Sequence, residues 1–388
     1  AVALVGMALF LAAAMQITNL HKRIALWVLS LVGTKTKALV FGAILVAIVL
    51  AFVVPSATAR AGAGVPIRLG VVAAFGLTKQ SRLAALLVIT AAQAVSIWNI
   101  GIKTAAAQNL IALGFIKTEF GIDITWGEWF MYAAPFSAIM SVVLFFVMIK
   151  LIKPETDNIS SGKDVIRQQL AELGPIKRKE LTLIITTLVL LCFWATEGKL
   201  HPFDTTTVTI IAIAFLLAPK VGVFNWQEAS SRIDWGTLIV FAVGISLGST
   251  LLTTKGAAWL SDTIFGSLGL DTMPLLATIA LVTIFNIIIH LGFASAPSLA
   301  SALIPVFIAL SLTLPLPVEN QIGFVIIQQF VICFGFLLPV SAPQNMLAYG
   351  TGSFTTKDFL KSGIPLTIFG FILILIFSAT YWKWIGLL

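Results

Sequence analysis

Residues 106–114 read AAQNLIALG, and residues 342–350 read APQNMLAYG. The second stretch follows the first at an offset of 236, from 106 to 342, and both carry Gln-Asn at the same place and close on glycine. Residues 56–66, SATARAGAGVP, pair in the same way with residues 295–305, SAPSLASALIP, at an offset of 239. Ser-Ala opens both, alanine recurs at the sixth and eighth places, and proline closes both. A third pair is Glu128-Trp129 with Pro135 and Asp358-Phe359 with Pro365, at an offset of 230. Three pairs in one order at nearly one separation define an internal repeat. Each half carries a small-residue motif, then a Gln-Asn motif, then a final apolar helix.

Composition sets the medium. The chain has 388 residues, 59% apolar and only 10% charged, whereas a soluble domain carries about 25% charge. It lacks the polar surface to coat a soluble globule. A soluble enzyme, a nucleic-acid binder and a disordered regulator are excluded, and no nucleic acid is expected as a partner despite a net charge of +8. Cys192 and Cys333 both sit in apolar runs and read as buried thiols, and no metal or cofactor motif is present. The expected fold class is an all-α polytopic membrane protein. Several apolar runs approach the roughly 20 residues that a spanning helix needs. Others are shorter, or are paired around a small-residue break, and read as re-entrant hairpins and broken helices. Its partner is the lipid bilayer, with cell (inner or plasma) membrane as the location.

Residues 1–17 are apolar from the first position, with no basic leader, and read as the rear of a spanning helix whose start lies upstream. The first repeat is expected over 1–152, with a hairpin at 38–76 and a broken helix at 83–118. A linker follows at 153–176. The second repeat is expected over 177–388, with a hairpin at 273–314 and a broken helix at 322–350. Lys and Arg cluster at 18–37, 79–82 and 150–180, which the positive-inside rule assigns to the cytoplasm, while acidic 117–128 lies outside.

Repeated halves with an odd number of spans each must be inverted across the membrane. Secondary transporters built this way hold their substrate near the midplane, where the repeats meet. Ser56-Ala57-Thr58 and Ser295-Ala296-Pro297, with Ser298, stand where apolar runs stop. Non-helical backbone at that depth is tolerated only when it is buried in protein or lines a cavity. Helix starts there present free N–H groups that favour anions. Gln108-Asn109 and Gln344-Asn345 add amides. The plainer reading of the small residues is close helix packing. Arg60, Lys103 and His290 lie four or five residues from these motifs. No acid falls within 38–116, so Arg60 and Lys103 lack a local counter-charge, and charges at membrane depth are usually functional. Snorkelling to the headgroups is the alternative for Arg60. The bias is cationic and points to an anionic substrate.

At these residues the chain resembles the divalent anion–sodium symporter family of di- and tricarboxylate carriers, nearest its oxoglutarate/malate and citrate/succinate exchangers. The family's two Ser-Asn-Thr motifs, each followed ten residues on by proline, correspond to Ser56-Ala57-Thr58 with Pro66 and Ser295-Ala296-Pro297 with Pro305. Residues 337–363, LLPVSAPQNMLAYGTGSFTTKDFLKSG, are similar to its C-terminal signature, and TARAGAGVPI to the exchanger subgroup. The resemblance implies two inverted repeats, linking helices at 20–33 and 256–267, a homodimer and an elevator mechanism. Both motif asparagines are alanine here, and the second threonine is Pro297. In the family those side chains help to hold carboxylate and sodium, so sodium coupling is not favoured. The expected function is exchange of malate, succinate or 2-oxoglutarate, with a sodium-coupled symporter as the alternative and an anion channel as a remoter one. An enzyme is not expected, because no activated nucleophile or metal constellation is present.

Overall fold

The computed structural model describes residues 2–33, 35–74, 76–155 and 162–388. Ala1 lies outside the described residues, as do Thr34, Phe75 and 156–161, which fall in the expected cytoplasmic segments, first hairpin and linker. The first copy of the repeat comprises α1 (Val2–Ile17), α2 (Leu20–Leu31), α3 (Thr36–Val53), α4 (Ala57–Ala74), α5 (Arg82–Gly101), α6 (Ala107–Phe120) and α7 (Trp126–Leu151). Between the copies come α8 (Gly162–Glu172), α9 (Arg178–Ala195), α10 (Thr205–Leu217) and α11 (Trp226–Ser230). The second copy comprises α12 (Trp235–Thr253), α13 (Gly256–Phe265), α14 (Leu275–His290), α15 (Ala296–Thr313), α16 (Val318–Ile332), α17 (Pro343–Tyr349) and α18 (Thr356–Ala379), and α19 (Tyr381–Trp384) ends the chain.

The repeat is far clearer in the helices than in the letters. α4 and α15 are both 18 residues long, with Pro66 and Pro305 at the same internal position. α5 and α16 start at the offset of the Gln-Asn motifs, and so do α6 and α17. Lys103–Ala105 and Pro339–Ser341 are 3-10 turns at that same offset. α7 and α18 begin with the same capping box, Thr125 with Glu128 and Thr355 with Asp358. Even a rare backbone state recurs: Asn19 (φ 56°) and Lys255 (φ 59°), again equivalent positions, are left-handed at the joints α1–α2 and α12–α13. A non-glycine residue seldom adopts that conformation. At the first joint the chain bends by 68°.

Partners are exchanged between the copies. α4 packs on α17, while its counterpart α15 packs on α6, so each hairpin helix meets the broken helix of the other copy. Reciprocal packing of this kind is what a two-fold axis between the copies produces. The end of α1 (Gln16) and the start of α12 (Thr237) line the same opening. Equivalent helices therefore reach it by opposite ends, and the fold consists of two inverted repeats.

Among the described residues, six helices are long and apolar enough to cross a membrane, and α1 with α2 would make a seventh as one bent span. α5 lies at the centre: every residue from Leu83 to Gly101 is buried. Buried Thr90, Gln93, Ser96 and Asn99 on it each find hydrogen bonds. The outer helices α7, α9, α12 and α18 expose Ile, Leu, Val and Phe, as lipid-facing helices do. Arg23 of α2 is buried and paired with Glu180 of α9 at 3.1 Å, and donates to the carbonyls of Gly174 and Leu173. Remote residues thus neutralise a charge that the apolar interior would otherwise penalise.

Close approach of backbones needs glycine at several positions, Gly363 beside the second break among them. A Cβ on Gly363 of α18 would lie 2.1 Å from the carbonyl oxygen of Phe336, in the break after α16. That oxygen also accepts from Gln93. Gly363→Ala should therefore force the break apart and cost about 1–3 kcal/mol, read as a lower unfolding temperature of the purified protein. An unchanged unfolding temperature would show that this contact is not tight.

Candidate substrate site

A cavity of about 480 Å³ lies where the copies meet. Four helices begin at its wall. Ala57 and Thr58 open α4, Ala107 and Gln108 open α6, Ala296 and Pro297 open α15, and Pro343 and Gln344 open α17; all eight line the cavity. Three of these helices are 14 to 18 residues long, and none of the three carries an acid in its first turn. Helix starts bear unsatisfied N–H groups and partial positive charge. Their convergence favours an anion.

The sequence explains why helices start here. Pro55 follows α3 and cannot continue its hydrogen bonding. The Ser56 hydroxyl then accepts from the Ala59 N–H at 3.2 Å, and the Ser295 hydroxyl accepts from the Ser298 N–H at 3.4 Å. Both serines act as N-caps of the hairpin helices. The two asparagines clamp the breaks of the broken helices. Asn109 Nδ2 donates to the Asn99 carbonyl at 2.7 Å, and Asn345 Nδ2 donates to the Gly335 carbonyl at 2.7 Å. Each reaches back by the same distance along the chain, so one hydrogen bond is made twice. Asn109 also reaches the carbonyls of Ile102 and Lys103, and its Oδ1 accepts from Gln329. Trp129 Nε1 satisfies the Ile100 carbonyl.

The residues singled out in the sequence therefore divide by position. Ser56, Ala57, Thr58, Gln108, His290, Ala296, Pro297 and Gln344 line the cavity. Ser295 caps α15 beside it by accepting from the N–H of Ser298 in the first turn of that helix, and Asn109 and Asn345 stand behind the wall as clamps. Arg60 also stands behind the wall, 1% exposed. Its guanidinium donates to Asn99 Oδ1, to the Ala105 carbonyl at 2.9 Å and to the Ser56 carbonyl at 3.4 Å. It therefore ties the first hairpin tip to the first break, and Nη1 remains without a partner. His290 is buried against the cavity with only a weak contact to the Ser341 backbone, and neither ring nitrogen makes a full hydrogen bond.

Lys103 does not line this cavity. It lines a smaller one of about 280 Å³. Its Nζ donates to the Ile124 carbonyl at 2.6 Å and lies 3.9 Å from Glu197. The counter-charge missing from its sequence neighbourhood comes from the α9–α10 loop. Conversely, no motif marks Lys22, Arg232 and Asp234, exposed residues that line the main cavity and so form its rim, or buried Asn99 and Cys333 in its wall. Lys22 and Arg232 outnumber the acid beside them. Only the folded chain brings α2 and the start of α12 to one rim. Among the described residues no group of His, Cys, Asp and Glu could hold a metal ion.

The whole chain, residues 1–388, matches the family described as the sodium:sulfate symporter transmembrane region. It is 49% identical over 386 residues to a membrane protein of Cupriavidus necator, covering 100% of this chain and 75% of that one. It is 27% identical over 396 residues to dicarboxylate transporter 2.1, chloroplastic, of Arabidopsis thaliana, covering 99% and 69%. It is 26% identical over 373 residues to the citrate/succinate antiporter of Escherichia coli K12, covering 95% and 74%. Among solved structures, the Alcanivorax borkumensis YdaH transporter shares the fold, with a TM-score of 0.55 and 16% identity over 98% of this chain and 86% of that one.

The clamps give a direct test of the breaks. Asn345→Leu strands the Gly335 carbonyl and should cost about 1–3 kcal/mol. Asn109→Leu should cost more, because three carbonyls and Gln329 lose a partner. Thermal unfolding in detergent reads both. If both variants unfold at the wild-type temperature, the clamps do not hold the breaks.

Proposed function

This chain belongs to the sodium:sulfate symporter family, and on that premise we propose that it exchanges dicarboxylates such as malate, succinate or 2-oxoglutarate. Membership makes it a multi-pass membrane transporter and not an enzyme. The observation that carries the substrate reading is the convergence of helix starts from both copies on one cavity. Lys22 and Arg232 rim it and Arg60 lies behind it. About 480 Å³ falls within the usual range for small-molecule sites and leaves room for a four- or five-carbon diacid with its water. The names of the Arabidopsis and Escherichia coli relatives support a carboxylate substrate. A carboxylate at each end of the ligand would face one pair of helix starts.

Charge supports exchange as the mode. An unpaired charge in a low-dielectric site costs several kcal/mol even after relaxation. A sodium symporter can offset the substrate with cations that leave with it. Here alanine and proline replace side chains of the two motifs, and the nearby cation, Arg60, is fixed in the protein. An empty site would cross the membrane with the Arg60 charge unpaired; in a loaded one a substrate carboxylate offsets it, and the helix starts serve the other carboxylate. The moving part would be the two hairpins with the broken helices, sliding as an elevator, within a homodimer. Sodium coupling, which the family's description names, is the competing reading.

Counterflow in liposomes tests the proposal with a panel of dicarboxylates, sulfate and citrate, in sodium, potassium or choline. Uptake should require a dicarboxylate inside and should not respond to the cation. Robust uptake into empty liposomes driven by sodium alone would overturn the exchanger reading. At an effective dielectric of about 20, a unit charge about 8 Å away contributes ~2 kcal/mol. Arg60→Ala should accordingly lower exchange by roughly tenfold or more. Undiminished exchange by that variant would remove Arg60 from the mechanism.

A further inference from the structure

We infer that the buried Lys103–Glu197 ion pair is a one-sided lock, which holds the protein in the end state seen here. The inference rests on the carrier reading above for its two end states. Lys103 begins the 3-10 turn whose last residue, Ala105, lines the main cavity and accepts from Arg60. Glu197 belongs to the loop between α9 and α10. The two side chains are 5% and 9% exposed. Glu197 is itself held firmly. Oε2 accepts from the Trp126 N–H at 2.9 Å and the Thr205 hydroxyl at 2.7 Å, and Oε1 accepts from the Thr205 N–H at 2.7 Å. It therefore joins the starts of α7 and α10 to the break in the first broken helix.

The pair lies on the closed side. Around the end of α1 and the start of α12 the residues that line the main cavity, Asn19, Lys22, Arg232 and Asp234, are exposed, which places its opening there. Lys103 instead stands with Lys117, Asp123 and Asp204, in the region whose acidic loop the charge pattern assigns to the opposite face. α10 packs against α1 and α9, outside the group formed by the hairpins and broken helices. Moving that group past α10 would separate Lys103 from Glu197.

The repeat makes the lock asymmetric. In an inverted-repeat carrier the two end states exchange the conformations of the copies. A contact made equally in both copies would therefore favour neither state. The counterpart of Lys103 in the second copy is Pro339, which opens the equivalent 3-10 turn and has no charge to offer. The state with the roles of the copies reversed has no equivalent pair. Breaking a buried pair by removing one partner is strongly destabilising, so the pair weights the equilibrium toward the state with the cavity open beside α1 and α12.

Hydrogen exchange of the full chain in lipid nanodiscs, without substrate, tests this. Lys103→Gln and Glu197→Gln should each speed amide exchange in 196–206 by about tenfold or more and slow it around 16–22 and 232–237, as the opening closes. The double swap, Lys103→Glu with Glu197→Lys, should restore both regions, and Lys103→Arg should behave as wild type. Faster exchange confined to 196–206 would make the pair a local brace and overturn the lock. So would single variants without effect, or a swap that fails to restore. Counterflow by the wild-type protein is read separately. Failure there with the reciprocal change intact removes the substrate reading and keeps the lock; exchange without the reciprocal change does the reverse.

Discussion

The structure depends on one constraint: a helix may stop inside an apolar medium only if its freed backbone groups are satisfied by protein. Four helices start at the central cavity, and two broken helices leave carbonyls beside it. Asn109, Asn345, Trp129, Gln93 and Arg60 supply donors to those carbonyls. The N–H groups are partly capped by Ser56 and Ser295. What remains uncapped points at the cavity, and that remainder is the candidate site. The same backbone discontinuity that threatens stability thus supplies the free N–H groups that would favour an anion.

This division of labour explains why polar residues of similar appearance differ in role. Asn109 and Gln108 are neighbours, yet one clamps a break and the other faces the cavity. Arg60 and Lys103 are both buried cations without local acids, yet Arg60 joins the hairpin tip to the break while Lys103 pairs across to another element. A helix turn separates the directions of adjacent side chains by about 100°, so proximity in sequence does not settle which wall a residue serves. The small residues Ala57, Ala107, Ala296 and Pro297 serve by leaving the helix starts open. A larger side chain there would fill the space that the backbone addresses.

Inversion does more than halve the information needed to build the fold. It gives the two copies nearly equivalent backbones, so what distinguishes them lies in their side chains. Lys22 and the Lys103–Glu197 pair both break that equivalence. Ala258 is the second-copy equivalent of Lys22, and Pro339 that of Lys103. Charge is therefore distributed unequally over two copies whose backbones agree closely.

The membrane class, the repeat and most of the helix breaks were legible in the sequence, because each is a local property. Apolar runs, prolines, Ser caps and Gln-Asn pairs act on their own few residues of backbone, and duplication makes weak signals additive. Most cavity-lining residues at the hairpin tips were found that way, since helix starts mark themselves. Tertiary structure alone decided which charges face the cavity and which are neutralised elsewhere. Glu197 is remote from Lys103 along the chain, as Arg232 is from Lys22, and Arg23 finds Glu180 at a separation of 157. Electrostatic pairing depends on distance in space, and in a chain that crosses the membrane repeatedly, that distance is set by how helices pack.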